Sequence, residues 1–467
     1  LTQLVSEGNG NWTIDVRNVF PGAEYQYVID TGPWSQWRKD PRAHRVTSST
    51  GNTVVYDHED FDWGSQSWST PAWNDMVVYE LHVGTFNDAP GGQPGTFATA
   101  AQKLQYLADL GVNVIELMPV WEFPGNFSWG YNPSQPWAVE SHYGGPDDLK
   151  GFIKAAHEHG LAVVMDVIHN HYGPMDLDLW QFDGWSAGGY GGVYFYNDVR
   201  AQTPWGDTRP DYGRSEVRQY IRDNTMNWLL DYRADGLRWD STSYMRNGPL
   251  GDIPDAWSLM QWVNDDIDAV QGWKINIAED MWGNAAITQP TAAGGAGFDS
   301  QWDAQFVHPI RAAIIDPSDQ NRNMWSVRDA ITHNYNGDAT QRVIYTESHD
   351  EVANGKSRVP EEIWPGNAAS WYSKKRSTLG AALVMTAPGV PMIFQGQEIL
   401  EDGFFSDTDP VDWNKLVTFA GIHDLYRDLI RLRRDWQSNT AGLKGQGVNV
   451  HHVNDNDKVV AFHRWDQ

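Results

Sequence analysis

The chain has 467 residues, 40% hydrophobic and 20% charged, with a formal net charge of -27 and no cysteine. It is too long for one small core, it cannot form disulfides or thiolate metal sites, and its charge works against nucleic acid or an anionic membrane surface as a partner. No apolar run reaches the ~18 residues of a membrane-spanning helix, and no signal peptide opens the chain at Leu1, which reads as mid-domain sequence.

Residues 1–62 carry short alternating segments, WTIDV, YQYVI and NTVVYD, separated by turn signals. They predict a small N-terminal β-sandwich that binds or packs, of the carbohydrate-binding-module kind. Ser65 to Trp73 reads as a linker. From Met76 apolar strands alternate with helical patterns: VVYELHV, VNVIELMPV, LAVVMDVIHNH, GLRWDST, KINIAEDM, SQWDAQF, RVIYTESHD and GVPMIFQGQE. Gly111 and Gly160 stand where two of the intervening helices need C-caps.

Eight such units across residues 76–436 predict an α/β fold, a closed (β/α)8 TIM barrel. A doubly wound open sheet is the alternative, but no GxGxxG opens a helix after the first strand. The rhythm breaks at residues 172–214, rich in Gly, Trp, Tyr and Asp, an insertion long enough to carry function. Residues 437–467 read as the start of a C-terminal β-domain.

In a barrel of this kind the chemistry sits at the C-terminal strand ends. Asp166 and His171 end the third strand, Arg238 and Asp240 the fourth, Glu279 the fifth, and His349 with Asp350 the seventh. Alternation puts Arg238 and Asp240 on one side, so the guanidinium is expected to lower the Asp240 pKa, as a carboxylate nucleophile requires. An isolated Arg-Asp pair would more often be structural; the further acids at the other strand ends shift that weighting. Glu279 follows Ile275 and Ile277 in phase, and apolar neighbours would raise its carboxyl as a general acid needs. Asp280 falls on the other side. Two such carboxylates ~5–5.5 Å apart can break a glycosidic bond with retention.

DVIHNH (166–171), GLRWDST (236–242), IAEDM (277–281) and ESHDEV (347–352) resemble the four ordered motifs of the α-amylase superfamily, family 13 of the glycoside hydrolases. The resemblance implies that Asp240 is the nucleophile, Glu279 the general acid/base, and Asp350 a third acid that grips ring hydroxyls. It places Arg238, His171 and His349 in the same subsite, has Asp166 orient Arg238, and matches Tyr131 of SWGYNP to the aromatic on which the sugar stacks.

Within the superfamily, SHDEVANGKSRVPEEIWPG and YFYNDVRAQTPWGDTRPDYG are similar to glycogen-branching enzymes, while TPWG and AED are shared with maltooligosyl-trehalose hydrolases. The implied substrate is an α-glucan, with no cofactor. Ser243 and Tyr244 stand where many amylases carry Lys-His, which also weakens the usual calcium site beside Asn170; no required metal is expected. A branching enzyme would be cytoplasmic and an amylase secreted, and a catalytically silent glucan-binding protein is the alternative from another class.

Around these, His169 and Trp239 read as packing residues. Met281 and Trp282 either shape an acceptor site or close the rim. The aromatic run 188–198 is either a wall for a glucan or a Gly-rich loop held by its own rings.

Overall fold

The computed structural model describes residues 2–30, 32, 35–65, 67–89 and 91–466. Eight strands form a closed parallel barrel: β1 (Val78–Leu81), β2 (Val114–Leu117), β3 (Ala162–Val167), β4 (Gly236–Trp239), β5 (Ile275–Ala278), β6 (Ser300–Trp302), β7 (Arg342–Ile344) and β8 (Val390–Phe394). Each pairs with the next in sequence, and β8 closes on β1 through Met392 and Val78. All eight predicted strands are present, each shorter than its apolar run. The first, for example, stops at Leu81 because His82 caps the short helix Val83–Phe86.

Side chains alternate along a strand, so the inward positions stack in layers. Val78, Val114, Val164, Ile277, Val343 and Met392 pack with Trp302 as one apolar cluster inside the barrel. Two residues further along the first five strands, in the same phase, stand Glu80, Glu116, Asp166, Arg238 and Glu279. An apolar floor is thus overlaid by a charged layer at the C-terminal end. The opposite phase, including Tyr79, Ile115, Met165, Leu237 and Trp239, joins the larger core between strands and helices.

Gly111 caps the helix Leu104–Leu110 with φ 104°, and Gly160 follows the end of the helix Gly145–Glu158 with φ 76°, the left-handed positions both were expected to take. The helical stretch that Gly111 closes comes in two pieces, Phe97–Ala101 and Leu104–Leu110.

Gly236 opens β4 for a steric reason. A Cβ there would run into the carbonyl oxygen and side chain of Ile275 on the neighbouring strand. Gly236→Ala is expected to cost about 1–3 kcal/mol of stability by overpacking, measurable as a lower urea midpoint. An unchanged midpoint would show that the β4–β5 seam can open at no cost.

The N-terminal segment forms three antiparallel two-stranded ladders: Val5–Gly8 with Asn11–Thr13, Glu24–Tyr25 with Thr53–Val54, and Tyr27–Asp30 with Ser35–Arg38. It docks onto the insertion, where Arg38 donates to the carbonyls of Phe182 (2.9 Å) and Gln181 (3.0 Å). The connecting segment is anchored too: Trp68 stacks on His157 at 4.3 Å and donates Nε1–H to Asp235 at 2.7 Å. A hairpin, Gly447–Asn454 with Val459–Trp465, follows the last barrel helix Ala420–Arg433.

Candidate active site

Register brings the charged layer together. Asp166 on β3 pairs with Arg238 on β4, which pairs in turn with Ile277 on β5, so the three strand ends finish level with one another. The Arg238 side chain is wholly buried. Its Nη1 lies 2.6 Å from Asp166 Oδ2 and 3.1 Å from Asp240 Oδ1, and its Nη2 lies 2.9 Å from Glu279 Oε2. Trp302 offers a ring face 4.3 Å below the guanidinium carbon. One cation therefore carries three carboxylates.

That imbalance governs the protonation of the site. Burial, then the charge of Glu279, pushes the Asp240 carboxyl well above the usual range, and the pull of Arg238 does not offset them. The expected lowering by Arg238 is thus corrected: the guanidinium is in place, but it is shared. Burial likewise raises Asp166 to about 6 against the pull of Arg238. A site that holds a proton among crowded acids is prepared for acid-base work.

Glu279 does not sit among apolar neighbours alone, as the sequence pattern had implied. Its Oε2 accepts from the backbone N–H of Ser241 at 2.8 Å and from the Ser241 hydroxyl at 3.2 Å. Ser241 reaches it because its backbone is left-handed, φ 41°, a strained choice for a non-glycine residue of the kind that collects at functional sites. Asp280 points elsewhere, as alternation predicts, into a two-pronged pair with Arg246 at 2.8 Å on each side.

The remaining predicted residues converge on the same mouth. Tyr131 donates its hydroxyl to Asp166 at 2.6 Å and stacks on the His349 ring at 4.9 Å. His171, lowered by burial to about 4 and so neutral, donates its Nε2–H to the Tyr131 carbonyl (2.8 Å) and lies flat against Trp205 at 4.6 Å. His349 is buried, with Nε2 3.7 Å from Asp350, whose side chain is 44% exposed at the rim. His169 packs between Trp121 and Trp239, outside the mouth.

The run 188–198 is a loop held by its own rings rather than a wall: Phe195 and Tyr196 are buried, and the Asn197 side chain ties Gly192 to Phe195. Trp205, 43% exposed, is an aromatic of the insertion that stands beside His171. The sequence reading missed it, along with Ser241, Trp302 and Glu80, which contacts His349. The signal for Glu80 was there: an acid in the inward phase of VVYELHV.

A calcium ion beside Asn170 would have to compete with the bonds this side chain already makes. Asn170 spends its Oδ1 on the N–H of His171 (3.0 Å) and its Nδ2 on Asp240 Oδ2 (3.0 Å). Among the described residues, no three His, Asp or Glu side chains converge as ligands.

The family profile described as "Alpha amylase, catalytic domain" matches residues 81–181 and 194–463. A 1,4-alpha-glucan branching enzyme GlgB of Pseudoalteromonas atlantica is 28% identical over 459 residues, 91% of this chain and 61% of that protein. A malto-oligosyltrehalose trehalohydrolase of Saccharolobus solfataricus is 30% identical over 440 residues, 87% of this chain and 72% of that one. The fold matches a pullulanase from Anoxybacillus sp. LM18-11, solved with maltotriose, at a TM-score of 0.81 and 21% identity, covering 98% of this chain and 71% of that one. The chain thus spans about three fifths of the length of the branching enzyme it matches. With a profile covering most of its length laid over a closed eight-stranded barrel and an acidic mouth, the chain belongs to the α-amylase family, family 13 of the glycoside hydrolases.

Proposed function

We propose that this protein cleaves α-1,4-glucosidic bonds with retention and transfers the released chain to a sugar hydroxyl. The observation that carries this reading is the single guanidinium of Arg238 in contact with both Asp240 and Glu279. Such a pairing supports the short ~5–5.5 Å carboxyl spacing of a retaining site. With the one proton that the crowded acids retain carried by Glu279, Asp240 attacks the anomeric carbon as the carboxylate and forms a glycosyl ester, while Glu279 gives that proton to the departing oxygen. Glu279 then takes a proton from the acceptor, which displaces Asp240 and restores the α configuration. Asp350, at the exposed rim, grips the ring hydroxyls of the sugar that stacks on Tyr131.

The acceptor decides the product. A 6-hydroxyl of a second chain gives an α-1,6 branch, and the branching-enzyme relative supports that outcome. Water gives hydrolysis, favoured by the similarity to a trehalohydrolase, which covers 72% of that protein. Both pass through the same ester, so the acids alone do not separate them.

Amylose incubated with the protein distinguishes the two when reducing ends and the α-1,6 anomeric proton are followed together. Growth of the α-1,6 signal with few new reducing ends is the expected result. Reducing ends without α-1,6 linkages would make the protein a hydrolase. Binding with neither signal would leave a silent glucan-binding protein.

A further inference from the structure

Beneath the sugar-binding mouth lies a second pair of carboxylates that the proposed chemistry does not use. Glu80 on β1 and Glu116 on β2 stand opposite each other in register, both pointing into the barrel, and both are 1% exposed. Glu80 receives two bonds from His349: the ring Nδ1 at 2.5 Å and the backbone N–H at 3.2 Å. Glu116 has an oxygen, Oε2, buried with no partner. Side by side in a dry interior, two ionised carboxylates repel each other strongly, and the pair is relieved when one of them holds a proton.

We propose that Glu80 is a positioning residue for His349. It fixes the imidazole ring through Nδ1 and keeps it as an imidazolium whose Nε2 faces Asp350 and the bound sugar, while Glu116 carries the proton that lets the two acids stand together. The groups facing His349 fit this assignment. Glu80 comes from β1, Asp350 from its own loop, Arg238 from β4, Trp302 from β6, and Tyr131 and Trp129 from the loop after β2. His82, also within reach, is held neutral by burial at about 4. Arg238 opposes a positive ring, but the carboxylates outweigh it, and His349 is raised to about 9 even though burial works the other way. Glu116 is pushed well above the carboxylate range by burial and by Glu80.

The imidazolium is therefore present below pH ~9 and lost as pH rises through that value. A cation at this point can donate to a sugar hydroxyl and balance Asp350; a neutral ring whose Nδ1 keeps the proton presents Nε2 as an acceptor.

The kinetic arm of the test rests on the α-glucan activity proposed above; the spectroscopic arm does not. In the first, kcat/KM on amylose is followed from pH 5 to 10 for wild type and Glu80→Gln, which keeps an acceptor for Nδ1–H and removes the charge. The alkaline limb is expected to move down by about one to two pH units in the variant. A uniform loss at every pH, with the limb in place, would reduce Glu80 to a structural residue and overturn the proposal.

In the second arm, 13C-histidine NMR of the wild-type protein, with His349 assigned by its absence in His349→Gln, is expected to show an imidazolium at pH 8. A neutral ring at that pH would overturn the proposal, whether or not the Glu80 variant folds and whatever the protein does to amylose.

Discussion

Asp240→Asn is expected to lower kcat on amylose by on the order of 10^4- to 10^6-fold while leaving the melting temperature at or above that of wild type. The amide cannot form the glycosyl ester, so turnover loses the step through which both hydrolysis and transfer pass. Stability should move the other way. Asp240 is crowded by Glu279 and by burial, and Arg238 is already shared with Asp166 and Glu279. An uncharged group of the same shape removes one member of a repelling set and still meets Arg238 Nη1 through its oxygen, a relief that outweighs the bond lost from Asn170 Nδ2, which then faces the new amide nitrogen. Activity assays and thermal melts on the same preparation check both halves. Retention of full activity would end the assignment of Asp240 as nucleophile, and a large fall in melting temperature would show that the site is balanced rather than overloaded with acid.

Arg238→Met is expected to fail on both counts. Methionine keeps the packing over Trp302 but leaves Asp166, Asp240 and Glu279 without their shared cation in a dry setting. Removing one partner from a buried ion network costs about 3–5 kcal/mol, and the acids respond by taking up protons, which disables a nucleophile that must be ionised. Urea unfolding should show the loss. Part of the stability should return in the double variant Arg238→Met, Asp240→Asn, since one unpaired charge is then gone. If the double variant were no more stable than Arg238→Met alone, the two residues would not be energetically coupled and the shared-cation account would fall. Arg238→Lys is no substitute, because a point ammonium cannot touch three carboxylates through two separate nitrogens.

How far the sequence could be read depended on the kind of information each element needs. The strands β1 to β8 were legible because a parallel barrel strand is buried on both faces, so its apolar run stands out without help from the rest of the chain. The inward phase was legible too, since it follows from counting by two from Ile275 and Ile277, and it separates Glu279 from Asp280 as the Arg246 pairing of Asp280 confirms. The helix break at Gln102–Lys103 and the inward turn of Phe195 and Tyr196 were not legible, because each is decided by what packs against the segment and not by its own pattern.

Electrostatics marks the same boundary more sharply. The sequence by itself determined which residues reach the mouth: their strand, their phase and their place at a C-terminal end are matters of spacing along one chain. It could not determine how many partners each would find there. Read locally, Arg238 belongs to Asp240; in three dimensions the closure of the barrel brings β3 and β5 alongside β4, and the guanidinium is divided among Asp166, Asp240 and Glu279. The contact of His349 with Glu80 spans 269 positions in sequence. Local pattern fixes where a side chain points, but the charge it feels is a sum over everything near it in space, and only the tertiary structure supplies that sum.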